Sequence, residues 1–465
     1  GWISGIKNAK QTIPDKSNLK SEHPSVLNRV QSLLDNYLMS PSIFRAFRHY
    51  NYRLWFFGQG VSLIGTWMQS MAQQVLVYRL TGSAAALGVV NLMALIPLIP
   101  FSLWGGSLSD RFSKQKIILW AQVAMLAQAL VLAIFTWSGI VQIWHVYLLS
   151  LLLGVANAID LPARQAFTVE LVEGKEDLTN AIGLNSAMFN GARALGPALA
   201  GVIVAVTGEG TAFFLNSLTF LAVIVSLLLM RKLPQPSSLQ ARTRPLPGHI
   251  LEGLKFIAKN RNLMVLVSLV AVSAFLSMPY NTLMPALADQ VLSFSSGPVI
   301  QHICDPQTGW LSCQAPEALP LGMLMAAVGL GAVIGALTVA ALPDGARRGK
   351  WLTVGNLGFP LLLLGVSFSR SFLVTLGLFM GVGVMFVWQN ALSNTLIQLC
   401  APDAMRGRIM AVYSMTFQSF MRLGGLQAGF MADWLGVPVA LGLGAAVSLF
   451  YGVYVAIRYP LVRRM

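Results

Sequence analysis

Acidic residues are scarce in this chain. Only 17 Asp and Glu stand among 465 residues, against 32 Lys and Arg, and charged residues of both signs make up 11%. Soluble domains usually carry about a quarter charged residues, so this supply excludes an ordinary water-dissolved globule of the same length. Cysteine is nearly missing: there are three, no Cys/His cluster has metal-ligand spacing, and a structural zinc site is excluded. The five histidines, His23, His49, His145, His249 and His302, are scattered over loops and helix ends, and no serine or cysteine sits in the frame of a nucleophile. No Gly-x4-Gly-Lys-Ser/Thr loop is present to cradle a nucleotide phosphate. These absences argue against an enzyme, against ATP as the energy source and against any cofactor.

What the chain does have is hydrocarbon, with 55% apolar residues. A run of about 20 apolar residues spans a bilayer as a helix. Such runs fall near 53–78, 83–108, 117–138, 142–168, 179–206, 210–230, 262–290, 319–342, 351–369, 371–398, 408–432 and 436–458. The fold class this predicts is an all-α membrane protein of twelve transmembrane helices in two six-helix, pseudo-symmetric halves. Its predicted divisions are an N-terminal arm at 1–51, a first half at 52–230, a linker at 231–261 and a second half at 262–465. The linker holds Pro234, Pro236, Pro245 and Pro247, and its end from Ile250 to Lys259 has the spacing of a short amphipathic helix on the membrane surface. The arm carries apolar residues at helical spacing between Val26 and Leu38, and is expected to rest on the same surface.

The net charge of +15 reports topology and not nucleic-acid binding. Of the 32 basic residues, 28 fall in the arm, the linker, the C-terminal end and alternate loops on one face of this arrangement; two, Arg79 and Arg370, fall on the other. The positive-inside rule then makes the richer face, with both termini, cytoplasmic. The remaining two, Arg193 and Arg422, lie inside spans. An internal repeat supports two halves: Asn185–Gly201 precedes Tyr413–Gly429 by 228 residues, with Ser, Phe, Leu, Gly, Ala and Gly coinciding. A fainter echo of the 2–3 loop occurs at Asp344–Lys350.

Several stretches together resemble the major facilitator superfamily of secondary transporters, within it the enterobactin-exporter-like branch of prokaryotic efflux proteins. They are the 2–3 loop Gly106-Ser-Leu-Ser-Asp-Arg-Phe-Ser-Lys-Gln-Lys116, the span-4 stretch Asp160–Phe167, the span-5 stretch Asn190–Pro197, the span-7 stretch Met278–Pro285 and the 10–11 turn Pro402–Arg408. The resemblance covers about residues 45–460. It implies a cytoplasmic gate at Gly106, Asp110 and Arg111, in which Asp110 faces the start of span 11 and Arg111 pairs with an acid such as Glu170. Ser113 and Gln115 depart from the usual pattern, where a glycine and a base are common. Gly191, Gly196, Pro197 and Gly201 resemble the antiporter motif that kinks span 5.

Arg193, near the middle of span 5, would cost from about 2.5 kcal/mol upward as a lone charge, so a partner is expected. Asp160 in span 4 is the best-placed acid, either as a structural salt bridge or as a protonatable group neutralised in turn by a proton and by Arg193. Arg422 has no acid at its depth in spans 10 to 12 and is read either as a contact for an anionic substrate or as a snorkelling side chain. Cavity-lining candidates are Gln59, Gln69, Asn157, Asn190, Tyr280, Asn281, Gln389, Asn390 and Asn394. Cys304 and Cys313 fall in the extracytoplasmic 7–8 loop, where a disulfide is permitted.

The function these readings favour is a proton-driven exporter of a small apolar or amphipathic molecule, siderophore-like or drug-like, in a prokaryotic inner membrane. Its partners would be that small-molecule substrate, protons and the lipid bilayer, and it would act as a monomer with no nucleic acid. A lysophospholipid-type flippase, or a transporter-like receptor or scaffold, remains the alternative.

Overall fold

The computed structural model describes residues 41–98, 100–101, 113–172, 174–231, 246–304, 310–343, 347–403 and 405–464, and the described residues hold helices and no strand. A 3-10 turn, Pro41–Arg48, leads into α1 (Tyr50–Thr81), α2 (Ala84–Leu95), α3 (Lys114–Trp137), α4 (Ile143–Glu170), α5 (Lys175–Thr207) and α6 (Glu209–Leu229). After the linker come α7 (Leu246–Lys259), α8 (Arg261–Leu276), α9 (Tyr280–Gln290) and α10 (Ser293–Cys304). Next follow α11 (Ala318–Ala340), α12 (Arg348–Phe368), α13 (Phe372–Cys400), α14 (Arg406–Leu435), α15 (Val437–Arg458) and α16 (Pro460–Arg464).

Among the described residues nine helical units are long and apolar enough to cross a membrane: α3 to α6, the α8–α9 pair, α11 to α13, and α15. The chain is a multi-pass membrane protein. Two further helices, α1 and α14, have the length, at 32 and 30 residues. Their apolar content is diluted by Gln59, Gln69, Gln73 and Gln74 in one and by Gln418, Arg422 and Gln427 in the other. Residues 41–48 and 460–464 share one face of the bundle, called here the terminal face; the opposite one is the distal face.

Three details differ from the sequence reading. The expected span at 262–290 is two helices, broken at Ser277–Pro279, where Pro279 has no N–H to continue the ladder. The surface helix begins at Leu246 and not Ile250. An unexpected helix, α10, occupies the distal loop, and its last residue Cys304 is disulfide-bonded to Cys313.

The internal repeat is visible in the turns that follow it. Gly208 and Gly436, the same offset apart, are each the lone residue between two helices, with φ of +78° and +88°. Only glycine takes that conformation without strain, so one residue reverses the chain in each half.

The buried apolar residues show how the halves meet. Near the terminal face there are two separate cores, one around Tyr52, Trp55, Ile118 and Phe167, the other around Leu266, Leu352, Ile397 and Ile409. Toward the distal face a single core takes residues from both sides, among them Met71, Leu76, Phe213, Leu287, Leu321 and Phe379. Small residues let the backbones approach there, since lipid offers helices no hydrophobic reason to pack. A Cβ on Gly322 of α11 would lie 2.6 Å from the Cα of Gly201 on α5, and one on Gly429 of α14 would lie 2.5 Å from the Ala84 carbonyl oxygen at the start of α2.

Gly322→Val should therefore force α5 and α11 apart. Overpacking of this kind costs about 1–3 kcal/mol, and it should appear as a lower melting temperature in detergent together with faster labelling of a cysteine placed at the distal end of α11. Unchanged melting and labelling would show that the close approach is not needed.

Candidate functional site

Asp160 sits in the middle of the α3–α4 packing and is buried. Its partner is Arg164, one helical turn on: the Arg164 Nη2 lies 2.5 Å and the Nε 2.8 Å from Oδ2. Gln122 Nε2 of α3 reaches Oδ1 at 3.4 Å. The expected pairing of Asp160 with Arg193 is thus corrected. An i,i+4 arginine on the same helix holds the carboxylate with little loss of freedom, and its guanidinium also lies over the Trp55 ring, 5.6 Å from the centroid. Arg164 was missed because it was counted with the basic residues of the 4–5 connection although it falls inside the 142–168 run; the four-residue spacing from Asp160 was the available signal.

Arg193 instead points across the molecule. Its guanidinium lies 4.6 Å from the ring centroid of Phe386 on α13 and 6.0 Å from that of Trp67 on α1, near the buried Tyr280 hydroxyl at the start of α9. Among the described residues it forms no ion pair. Arg422 on α14 is half-buried, and its Nη1 is buried with no hydrogen-bond partner among the described residues.

The helix-kink motif divides by use. A Cβ on Gly196 would lie 2.5 Å from Trp67 Cβ and 2.8 Å from the Ile64 carbonyl oxygen, so this glycine seats α5 against α1. Gly201 meets α11 as described, Pro197 lies inside α5, and nothing approaches Gly191 within 4 Å. The repeat partner of Gly196, Gly424, seats α14 against Phe275 of α8 in the same way.

The polar candidates separate into knitted and open groups. Gln69 is buried and joins Gln128 at 3.1 Å and Asn216 at 2.5 Å, all within the first half. Gln389 is buried and joins Ser273 at 2.9 Å and Asn356 at 2.8 Å within the second. Both hold their own bundle together, as interhelical amides do in lipid. Asn390 accepts from the Tyr413 hydroxyl at 2.8 Å, and Asn394 accepts from Gln398 at 2.5 Å. Asn157 and Asn190 turn back to carbonyl oxygens of their own helices and, like the exposed Asn281, keep an open side. Gln59 is buried with its Oε1 unpaired.

Gly106, Asp110 and Arg111 lie outside the described residues. Glu170, expected as a partner of Arg111, is bonded to Lys114 Nζ. Asp177 at the start of α5 gathers Arg48 at 2.5 Å, His49 at 2.9 Å and Arg45 at 3.3 Å, which docks the end of the N-terminal arm onto the first half. No group of His, Cys, Asp and Glu among the described residues is arranged to hold a metal ion.

A latch that sequence reasoning missed closes the distal face. Asp433, near the end of α14, accepts from Ala84 N at 2.7 Å, from Ala85 N at 3.1 Å and from the Ser83 hydroxyl, so a carboxylate of one half caps the N-terminus of α2 in the other. Asn91 donates to Thr282 at 3.0 Å, Gln290 to Tyr78 at 2.9 Å, and the amides of Gln314 and Ala315 to the Ala205 carbonyl oxygen at 2.7 and 2.9 Å. These hydrogen bonds between the halves all lie distal to the level of Arg193, while on the terminal side α5 exposes Ile182 and Phe189 and α14 exposes Met415 and Phe420.

The model of the family described as transmembrane secretion effector matches residues 41–300 and 312–464. The chain belongs to that family and is a transporter of the major facilitator type, not an enzyme. It is 24% identical to the staphyloferrin A transporter of Staphylococcus aureus over 379 residues, covering 80% of this chain and 87% of that protein. It is 25% identical to the enterobactin exporter of Shigella boydii over 410 residues, covering 86% of each. The crystal structure of the nucleoside transporter NupG shares the fold with a TM-score of 0.65 at 12% identity, over 88% of this chain and 98% of that one.

Two outcomes follow from this geometry. Arg164→Gln should destabilise the protein by about 3–5 kcal/mol, because it strands a buried carboxylate, and adding Asp160→Asn should recover most of the loss in a thermal melt. Asp433→Ala should remove a cap worth about 1 kcal/mol and raise the rate at which an impermeant maleimide reaches a cysteine at Thr282, unless the latch is idle.

Proposed function

We propose that this member of the transmembrane secretion effector family is a proton-coupled exporter of a small amphipathic molecule, siderophore-like or drug-like, working by alternating access. The observation that carries this reading is the asymmetry between the two faces: one shared, latched core on the distal side, two separate cores on the terminal side. With the terminal face cytoplasmic, as the distribution of basic residues favours, this is the state in which an exporter loads. The full arrangement is twelve spans in two six-helix halves, 52–230 and 262–465, joined by the 231–261 linker, in a prokaryotic inner membrane as a monomer with both termini inside. The names of two relatives support the reading: a staphyloferrin A transporter supports the transport role, and an enterobactin exporter supports the outward direction.

Asp160 is assigned as the proton carrier. Protonation would release Arg164 and slacken the α3–α4 contact through Gln122; deprotonation would restore it. Arg193 is assigned a part separate from it, between the halves against Trp67 and Phe386. Gly106, Asp110 and Arg111 are assigned to the cytoplasmic gate that closes when the distal latch opens. Asn157, Asn190, Tyr280, Asn281, Asn390 and Asn394 are assigned to the cavity wall.

Proteoliposomes holding the full chain, given an imposed pH gradient, test the coupling. Asp160→Asn should abolish gradient-driven accumulation of a transported compound while leaving exchange down its own gradient, and gradient-driven transport that survives the substitution would remove Asp160 from the proton path. Reporter fusions at the two ends should both read cytoplasmic.

A further inference from the structure

Two guanidinium groups at membrane depth lack a counter-charge. Asp160 is the one described acid that lies away from both faces, and Arg164 occupies it. Arg193 has aromatic rings and a tyrosine hydroxyl around it and no carboxylate; Arg422 has a buried Nη1 with no partner. Their places in the fold match. In the repeat Arg422 aligns with Ala194, one residue from Arg193, so the two come from equivalent levels of opposite halves.

Both sit where the distal closure ends. Arg193 directly precedes Ala194, which abuts Gly329 of α11, and Arg422 is one turn before Gly425, whose Cβ would lie 2.8 Å from Thr282 Oγ1 and 3.4 Å from Asn91 Nδ2. A charge left unpaired at this depth is costly. A guanidinium fork is also the side-chain geometry best matched to a carboxylate, which it binds through two parallel bonds. The rings of Trp67 and Phe386 beside Arg193 supply an apolar surface next to that fork.

We propose that Arg193 and Arg422 form an anion-binding site between the halves, at the level where the distal closure ends. The cargo is then an amphipathic organic anion, with acidic oxygens on the two guanidinium groups and an apolar or aromatic body against Trp67 and Phe386. This rests on the exporter reading above and narrows its cargo by charge. An empty site carries two uncompensated positive charges, and a loaded one is near neutrality.

Two xanthene dyes of similar body and opposite charge test the assignment: carboxyfluorescein, a polyanion at neutral pH, and rhodamine 6G, a cation. Fluorescence anisotropy with the purified full chain should show carboxyfluorescein bound at least roughly tenfold more tightly, and Arg193→Gln or Arg422→Gln should each weaken it by roughly tenfold, the value of one charge-assisted bond. Arg422→Lys, which keeps the charge, should lose less, and rhodamine 6G binding should not weaken in any variant. Removing a half-buried charge that has no counter-ion should leave the melting temperature unchanged or higher, so loss of binding cannot be put down to misfolding. Equal or weaker binding of carboxyfluorescein by the wild type, or binding unchanged in both glutamine variants, overturns the proposal. Proteoliposomes separate the two readings. Export of rhodamine 6G but not carboxyfluorescein, unaffected by either glutamine variant, sinks the anion pair and keeps the exporter, whereas selective carboxyfluorescein binding without movement under a pH gradient sinks the exporter and keeps the pair.

Discussion

Close backbone approach between the halves is the contact on which the rest of this structure depends. Helices in lipid gain nothing from burying apolar surface against one another, so association rests on van der Waals contact and hydrogen bonds at short range. Gly201 against Gly322 and Gly429 against Ala84–Ala85 provide that range on the two flanks of the bundle. Both glycines occupy the same repeat position, and both lie on the distal side. The halves are thus joined along one edge and parted along the other, a geometry that permits rocking without unfolding either bundle.

Within each half the polar groups do a different task. Gln69 with Gln128 and Asn216, and Gln389 with Ser273 and Asn356, cross-link helices that never need to separate. Hydrogen bonds inside a dry bundle are expensive to leave unmade, so these networks keep each half rigid. Between the halves the described bonds are few and, Asn91–Thr282 apart, sit near the distal rim, where water can replace them when they open. Asp433 is suited to that place: at the distal end of α14 it can be solvated in one state and cap α2 in the other.

Much of this was legible in the sequence. Apolar runs placed the helices, and the repeat at Asn185–Gly201 and Tyr413–Gly429 marked the two elements that carry the inter-half contacts. Depth counting located Arg193 and Arg422 correctly inside helices but could not tell azimuth: Asp160 and Arg193 look like neighbours along the membrane normal, yet they point to different helices. Asp433 was illegible for another reason. It reads as an ordinary loop acid until α2 is seen to begin beside it, and that neighbourhood joins residues some 350 apart. The break at Ser277–Pro279 was signalled by proline, but a continuous apolar run hid it.

The separation of Asp160 from Arg193 bears on how energy would be transmitted. A single carboxylate exchanging between a proton and a cavity arginine would let cargo and proton compete by contact. Here the carboxylate is closed into the α3–α4 packing by its own helix's arginine, so its protonation changes charge inside the first half only. Transmission must then be mechanical, through α4 and α5 to the glycine contact with α11, or electrostatic over a distance that low-dielectric surroundings leave poorly screened. Under the second route, an anion seated on Arg193 and Arg422 would disfavour a second negative charge at Asp160 and so favour its protonation. Cargo and proton would bind more tightly together than apart, which suits co-transport of the two in one direction; export against an inward proton gradient requires that the mechanical route outweigh this attraction and make the distal opening conditional on Asp160 losing its proton.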